Sequence, residues 1–171
     1  FTTVTGSNGV TSLVGTSGVD TATIVALESN AFIAGNTGVD IVNLNLSTAG
    51  QIASDYEVRM GGGEDTFELN NVLLDSFIEL DGLTADNSGD DTFTGNSELI
   101  VNSEIRGMGG DDAFTNLALN SSTVNGNAGD DTIGVVASNT SFVYGGQGED
   151  AINVTGNSAE MTINGNKADD T

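Results

Sequence analysis

Eight aspartates recur along the 171-residue chain in one fixed context: Asp20, Asp40, Asp65, Asp91, Asp112, Asp131, Asp150 and Asp170. Seven of them stand two residues after a glycine, from Gly18 and Gly38 through Gly129 and Gly148, and the last follows Ala168. A carboxylate at a glycine-rich turn suits hard-cation binding, because calcium takes about six to eight oxygen ligands and accepts carboxylates and main-chain carbonyls alike. Acid–base catalysis fits less well. Paired carboxylates such as Asp90 and Asp91 can serve as acid and base, but these recur in coil after coil, whereas an active site is usually unique. The chain also has no histidine or cysteine to act as base or nucleophile. No enzyme is expected.

The aspartates belong to a longer frame. Nine segments align on one nonapeptide, starting at Gly6, Gly15, Gly35, Met60, Asp86, Gly107, Gly126, Gly145 and Gly165. Glycine holds the fourth position in eight of the nine, and aspartate the sixth in eight. The eighth position is apolar wherever it is present, from Leu13 and Ala22 to Phe93, Phe114, Ile133 and Ile152. This frame resembles the RTX nonapeptide G-G-x-G-x-D-x-U-x of calcium-binding repeat proteins. The resemblance implies a parallel β-roll with calcium between successive coils. The eight aspartates would be its carboxylate ligands, and corner glycines such as Gly107, Gly126 and Gly145 would turn with positive φ and present carbonyls inward.

The spacing departs from that family and sets the expected architecture. Frame starts are nine residues apart only once; the later separations are 20, 25, 26, 21, 19, 19 and 20 residues. This predicts one all-β unit over residues 1–171, a right-handed parallel β-solenoid with coils of about 20 residues and the calcium motif at one corner of each. The opposite corner carries Asn102-Ser103, Asn120-Ser121, Asn139-Thr140 and Asn157-Ser158, either an amide ladder or ordinary turn residues. Period-two alternation turns Phe93, Phe114, Ile133 and Ile152 inward from one wall and Ile105, Val124, Val143 and Ile163 from the other. The excess of the two long coils is expected to bulge out around Gly50–Asp55 and Leu73–Leu83.

Charge narrows the partners. Twenty-five acids against three basic residues leave a formal net charge of −22, which repels nucleic acid and anionic lipid, and no segment has the length of a membrane span. Carboxylates stacked at the inter-strand spacing of about 4.8 Å repel by roughly 3.5 kcal/mol per pair at an effective dielectric of about 20. Divalent cations between them would turn that into attraction. The fifth-position acids Glu64, Asp90, Asp111, Asp130, Glu149 and Asp169 are expected to point outward and strengthen the field, and Arg59 and Arg106 to pair with corner acids.

These features, with a Thr-, Asn- and Gly-rich composition free of Cys and Pro, resemble bacterial surface-layer proteins and oscillin-like surface fibrils. The resemblance implies a secreted or cell-surface structural protein with calcium, copies of itself and surface polysaccharide as partners. An adhesin stalk, or the calcium-folded export region of a secreted enzyme or toxin, is the alternative. Sequons at Asn45, Asn120, Asn139 and Asn153 are compatible with glycans. Joined end to end, the termini repeat the run Asp90-Asp91-Thr92-Phe93-Thr94; either these residues are a slice of a longer repeat array whose ends match because all its repeats do, or coils stack across such a junction between copies of the unit in one chain or between molecules in a filament.

Overall fold

The computed structural model describes residues 1–5, 11–25, 29–46, 52–81 and 89–171. They form a parallel β-solenoid with no helix. A nine-stranded sheet makes one wall: Thr2–Thr5, Thr11–Val14, Phe32–Thr37, Glu57–Gly62, Phe77–Asp81, Glu104–Arg106, Thr123–Ala128, Phe142–Gln147 and Thr162–Lys167. Every pairing in it is parallel except the first. An eleven-stranded sheet makes the rest. Its strands following the aspartates, Asp20–Ile24, Asp40–Leu44, Thr66–Leu69 and Thr92–Thr94, stack in register. A separate run of Ala53–Ser54, Leu73–Leu74 and Leu99–Val101 stacks beside them. Both runs merge onto the eight-residue strands Ala113–Asn120 and Thr132–Asn139.

Alternation explains why these segments are strands. Ile33, Val58, Ile78, Ile105, Val124 and Val143 project inward from the first wall, and Val42, Phe67, Phe93, Phe114 and Ile133 from the second. All are fully buried. Each such side chain contributes about 1.5–3 kcal/mol by leaving water, and Phe67 stacks on Phe93 at 5.4 Å between ring centres. The expected inner walls hold, Ile152 stacking in line with Ile133 and packing partly buried against the core, apart from Ile163 in the last coil. Ile163, in line with Val143, is 47% exposed.

The corner between the returning run and the first wall is built by one left-handed residue per coil. Asn30, Asp55, Asp75, Asn102, Ser121, Thr140 and Glu160 have φ between 48° and 64°, a conformation that Asn and Asp adopt more readily than other non-glycine residues. The next residue points inward: Ala31, Tyr56, Ser76, Ser103, Ser122, Ser141 and then Met161. The serines form the ladder here. The Ser76 N–H donates to Ser103 Oγ (3.1 Å), Ser103 N–H to Ser122 Oγ (3.1 Å) and Ser122 N–H to Ser141 Oγ (3.3 Å). Ser76, Ser103, Ser122 and Ser141 hydroxyls donate in turn to the carbonyl two residues back. The amide ladder does not form. Asn120 lies in line with Val101 rather than Asn102, and a single contact of 3.4 Å joins Asn139 to Asn120.

The long coils differ from expectation too. Ala53–Ser54, Leu73–Leu74 and Phe77–Asp81 are strands in register with their neighbours, so 53–54 and 73–81 do not bulge. Leu69 to Leu73 spans four residues and the matching Leu44 to Ala53 spans nine, placing five extra residues between Leu44 and Ala53. Asp81 is in line with Gly61. Gly61 precedes Asp65 by four residues and Asp81 precedes Asp91 by ten, so six extra residues enter between Asp81 and Asp91. The first position of that coil is therefore Leu80. Gly6, Gly9, Gly50, Gly82, Leu83 and Asp86 lie outside the described residues. Thr2–Thr5 folds back antiparallel on Thr11–Val14 instead of opening a parallel coil, and Phe1 packs against the core.

Candidate metal centre

At the aspartate corner the carboxylates form a continuous ladder along the solenoid axis. Each Oδ1 accepts the main-chain N–H of the aspartate one coil earlier: Asp20 to Asp40 (2.9 Å), Asp40 to Asp65 (2.7 Å), Asp65 to Asp91 (2.6 Å) and Asp91 to Asp112 (2.9 Å). The series continues from Asp112 to Asp131 (2.9 Å), Asp131 to Asp150 (3.0 Å) and Asp150 to Asp170 (3.1 Å). At its start, the Phe1 nitrogen donates to Asp20 Oδ1 (3.2 Å). All eight predicted aspartates are thus brought into one column.

The second oxygen of each carboxylate is the unusual one. Asp40, Asp65, Asp91, Asp112, Asp131 and Asp150 are 0–1% exposed, and the Oδ2 of each has no hydrogen-bond partner. A buried acceptor left so costs about 1–3 kcal/mol, and more when charged. Asp20, at the exposed end, differs: its Oδ2 accepts the Thr16 N–H (2.5 Å) and hydroxyl (2.8 Å), which lowers its carboxyl below the usual range. For the buried members, loss of hydration is the leading cause of the opposite shift, offset in part by the main-chain N–H and reinforced by neighbouring carboxylates. Asp65 is pushed up to about 6, Asp131 to about 7, Asp112 to about 8 and Asp91 to about 9. Asp40 and Asp150 are raised for the same reason.

Corner glycines divide into two kinds, which corrects the expectation of positive φ at both. At the fourth position Gly110 and Gly129 have φ of 103° and 132°, where a side chain is strained. The second position is left-handed as well, but often without glycine, as at Asn36, Met108, Asn127 and Asn166. First-position glycines have ordinary φ and are needed for room. A Cβ on Gly107 would overlap Asp112 Oδ2 and lie 2.7 Å from the Gly126 carbonyl oxygen; one on Gly126 would overlap Asp131 Oδ2 and lie 2.7 Å from the Gly145 carbonyl oxygen. At Gly145 the Asp150 carboxylate fills the same space.

A carboxylate oxygen without a hydrogen-bond partner and a carbonyl from the next coil therefore converge at Gly107 and again at Gly126, although the Gly126 carbonyl already accepts the Met108 N–H (3.0 Å). Two acceptors facing one gap are repulsive unless a proton or a cation intervenes, and both are hard oxygen donors of the kind calcium takes. The residues fit such an ion chemically. No three carboxylates among the described residues share one ligand-distance cluster, so carbonyls would have to supply the rest of any shell.

The fifth-position acids are exposed, as expected, and they also reach along the axis. Asp90 Oδ1 accepts the Asp111 N–H (2.9 Å), Asp111 Oδ1 the Asp130 N–H (2.8 Å) and Asp130 Oδ1 the Glu149 N–H (2.8 Å). Arg59 and Arg106 do not pair with corner acids. Arg59 binds Glu57 and Glu79, Arg106 binds Glu104, and both guanidiniums lie over the Phe77 ring on the outside of the first wall. The signal was present, since Glu57 and Arg59, like Glu104 and Arg106, are two apart and share one strand face.

Fold and corner together define an all-β parallel solenoid with a buried carboxylate column. No protein-family model, curated protein or solved structure matches the chain. No helix among the described residues is long and apolar enough to cross a membrane.

Proposed function

We propose that this chain is a structural solenoid of the extracellular space or cell surface, a surface-layer or filament component whose fold is completed by calcium. The observation that carries the reading is the column of six buried Oδ2 atoms, one per coil, each without a partner. A β-solenoid gains nothing by stacking unpaired carboxylates in its interior unless protons or a counter-charge join them. Calcium is the ion whose oxygen preference and tolerance of irregular shells match a carboxylate-and-carbonyl corner, and extracellular fluid supplies it at millimolar levels suited to weak, repeated sites. The RTX-like frame supports the same ion. A charge of −22 would be partly neutralised by such loading, which would let copies of the chain pack together.

Calcium content is the direct test. After equilibration in millimolar calcium and removal of free ion, elemental analysis is expected to find several calcium ions per chain. The count should fall by one or two in Asp131→Ala, two if neighbouring sites share the carboxylate. A wild-type protein that retains no calcium, with a far-ultraviolet spectrum indifferent to chelator, would remove the basis of the reading.

A further inference from the structure

The outer face of the first wall carries an open groove that the aspartate column does not explain. Its volume is about 830 Å³, within the range of about 300–1,000 Å³ common for small-molecule sites. Asp55, Asp75, Asn102 and Ser121, the left-handed corner residues of four successive coils, line one side of it. That row is three coil steps long, roughly 14 Å at the usual strand spacing. The groove lies at the other end of the first wall from the aspartate column and does not share its residues.

The groove gathers the chain's rare donors. Of three basic residues in the sequence, Arg59 and Arg106 both line it. Register brings them together. Glu57, Phe77 and Glu104 stand in line on successive coils, and Arg59, Glu79 and Arg106 stand in line two residues further on. Guanidiniums from the coils on either side therefore lie over the Phe77 ring, 5.5 and 5.2 Å from its centre. Glu57 and Glu79 hold Arg59, and Glu104 holds Arg106, so the planar groups are fixed before any ligand arrives. Arg106 engages one Glu104 oxygen through Nε and one Nη, and its side chain is 39% exposed. The rest of its fork is left for a ligand. Exposed ion pairs add little to stability, so folding alone does not account for this cluster.

We propose that the groove binds a neutral, hydroxyl-rich glycan chain. Hydroxyls both donate and accept, and here guanidinium and amide donors stand beside carboxylate acceptors. Phe77, only partly buried, adds an apolar surface for sugar C–H groups. Charge selects the class. A polyanion is repelled by a chain of net charge −22. A polycation would be drawn to the exposed acids of the aspartate corner in preference to a groove holding two guanidiniums. Only a neutral chain gains at the groove in particular, and it does so whether or not the aspartate column holds calcium.

A microarray of neutral, anionic and amine-bearing oligosaccharides, probed with the labelled protein in millimolar calcium, tests this. Retention of neutral glycans long enough to span the row of corner residues is expected. Calorimetry with the strongest of them should show Arg106→Ala and Glu104→Ala each raising the dissociation constant at least about tenfold. The two changes alter the charge in opposite directions, so a charged ligand would respond to them with opposite signs and a neutral one would not. Phe142→Ala is the control. That ring stands on the same face two coils beyond Glu104, is 42% exposed and does not line the groove, so its loss should leave the affinity unchanged. Matched thermal melts show that each variant remains folded. An array that retains no neutral glycan, or only charged ones, would overturn the proposal, as would unchanged affinity in either groove variant.

Discussion

Stripped of divalent ions, the protein should melt at a higher temperature at pH 4.5 than at pH 8, and saturating calcium should reverse that order. The sign follows from the buried column. Asp65, Asp131, Asp112 and Asp91 have folded-state values raised to about 6, 7, 8 and 9, against an unfolded value near 3.9. Between those limits the folded chain holds more protons than the unfolded one, so stability is greatest below about pH 4 and is lost as pH rises through the folded values. Calcium needs the ionised carboxylates, so its contribution is present at high pH and fades as protons displace it. Two sites held at a hundredfold excess over their dissociation constants would add about 5 kcal/mol, or roughly 10–20 °C for a chain of this size. Thermal melts at both pH values, with calcium and with chelator, measure all four states. The same pH order in both series would mean that calcium does not neutralise the column.

Gly129→Val should be the most damaging single substitution at the corner. Gly129 has φ of 132°, and a Cβ there would overlap the Gly110 carbonyl, which is main chain and cannot step aside. A β-branched residue in that conformation carries about 1–3 kcal/mol of strain before the clash with the adjacent coil adds its own cost. Loss of cooperative melting, or a fall of at least about 4 kcal/mol in denaturant titration, is expected with or without calcium. Gly126→Ala makes the informative contrast. Its added methyl overlaps the buried Asp131 carboxylate and lies 2.7 Å from the Gly145 main-chain carbonyl, but Gly126 has ordinary φ and carries no left-handed strain, so the metal-free protein should lose less stability than in Gly129→Val while calcium binding at that coil is lost. Equal damage from both changes would show that the two glycines do not serve different needs.

The solenoid and the aspartate column were legible because one residue type recurs at one spacing, and because period-two burial leaves the same inward positions apolar in each coil. The two roles of glycine were not legible. A glycine required for room at Gly126 and one required for positive φ at Gly129 look identical in sequence, and only the carboxylate five residues later separates them. The register of the long coil is hidden in the sequence for a related reason. Gly89 and Asp91 anchor the end of that frame, so spacing alone puts its start at Asp86, while the six extra residues enter inside the corner and leave Leu80 and Asp81 in line with Met60 and Gly61. The serine ladder had a usable signal. Ser76, Ser103, Ser122 and Ser141 are 27, 19 and 19 apart, close to the rhythm of the aspartates. Serine is so common in turns that this recurrence does not stand out beside the neighbouring asparagines.

The register between coils has a mechanical consequence. Along the axis each coil is held to the next by main-chain bonds, by a buried aspartate and, in several coils, by an exposed acid stitching in the opposite direction. A pull on the two ends cannot stretch such a stack gradually; it peels whole turns from an end. Each turn of about 20 residues releases roughly 65–70 Å of extended chain in place of the 4.8 Å or so it occupied. A fibre built this way would be stiff below a threshold load and would yield above it in equal steps. The release of each step would be set by how firmly one corner is closed, so, if calcium closes the corners as proposed, its concentration would tune the strength of the material without altering its length.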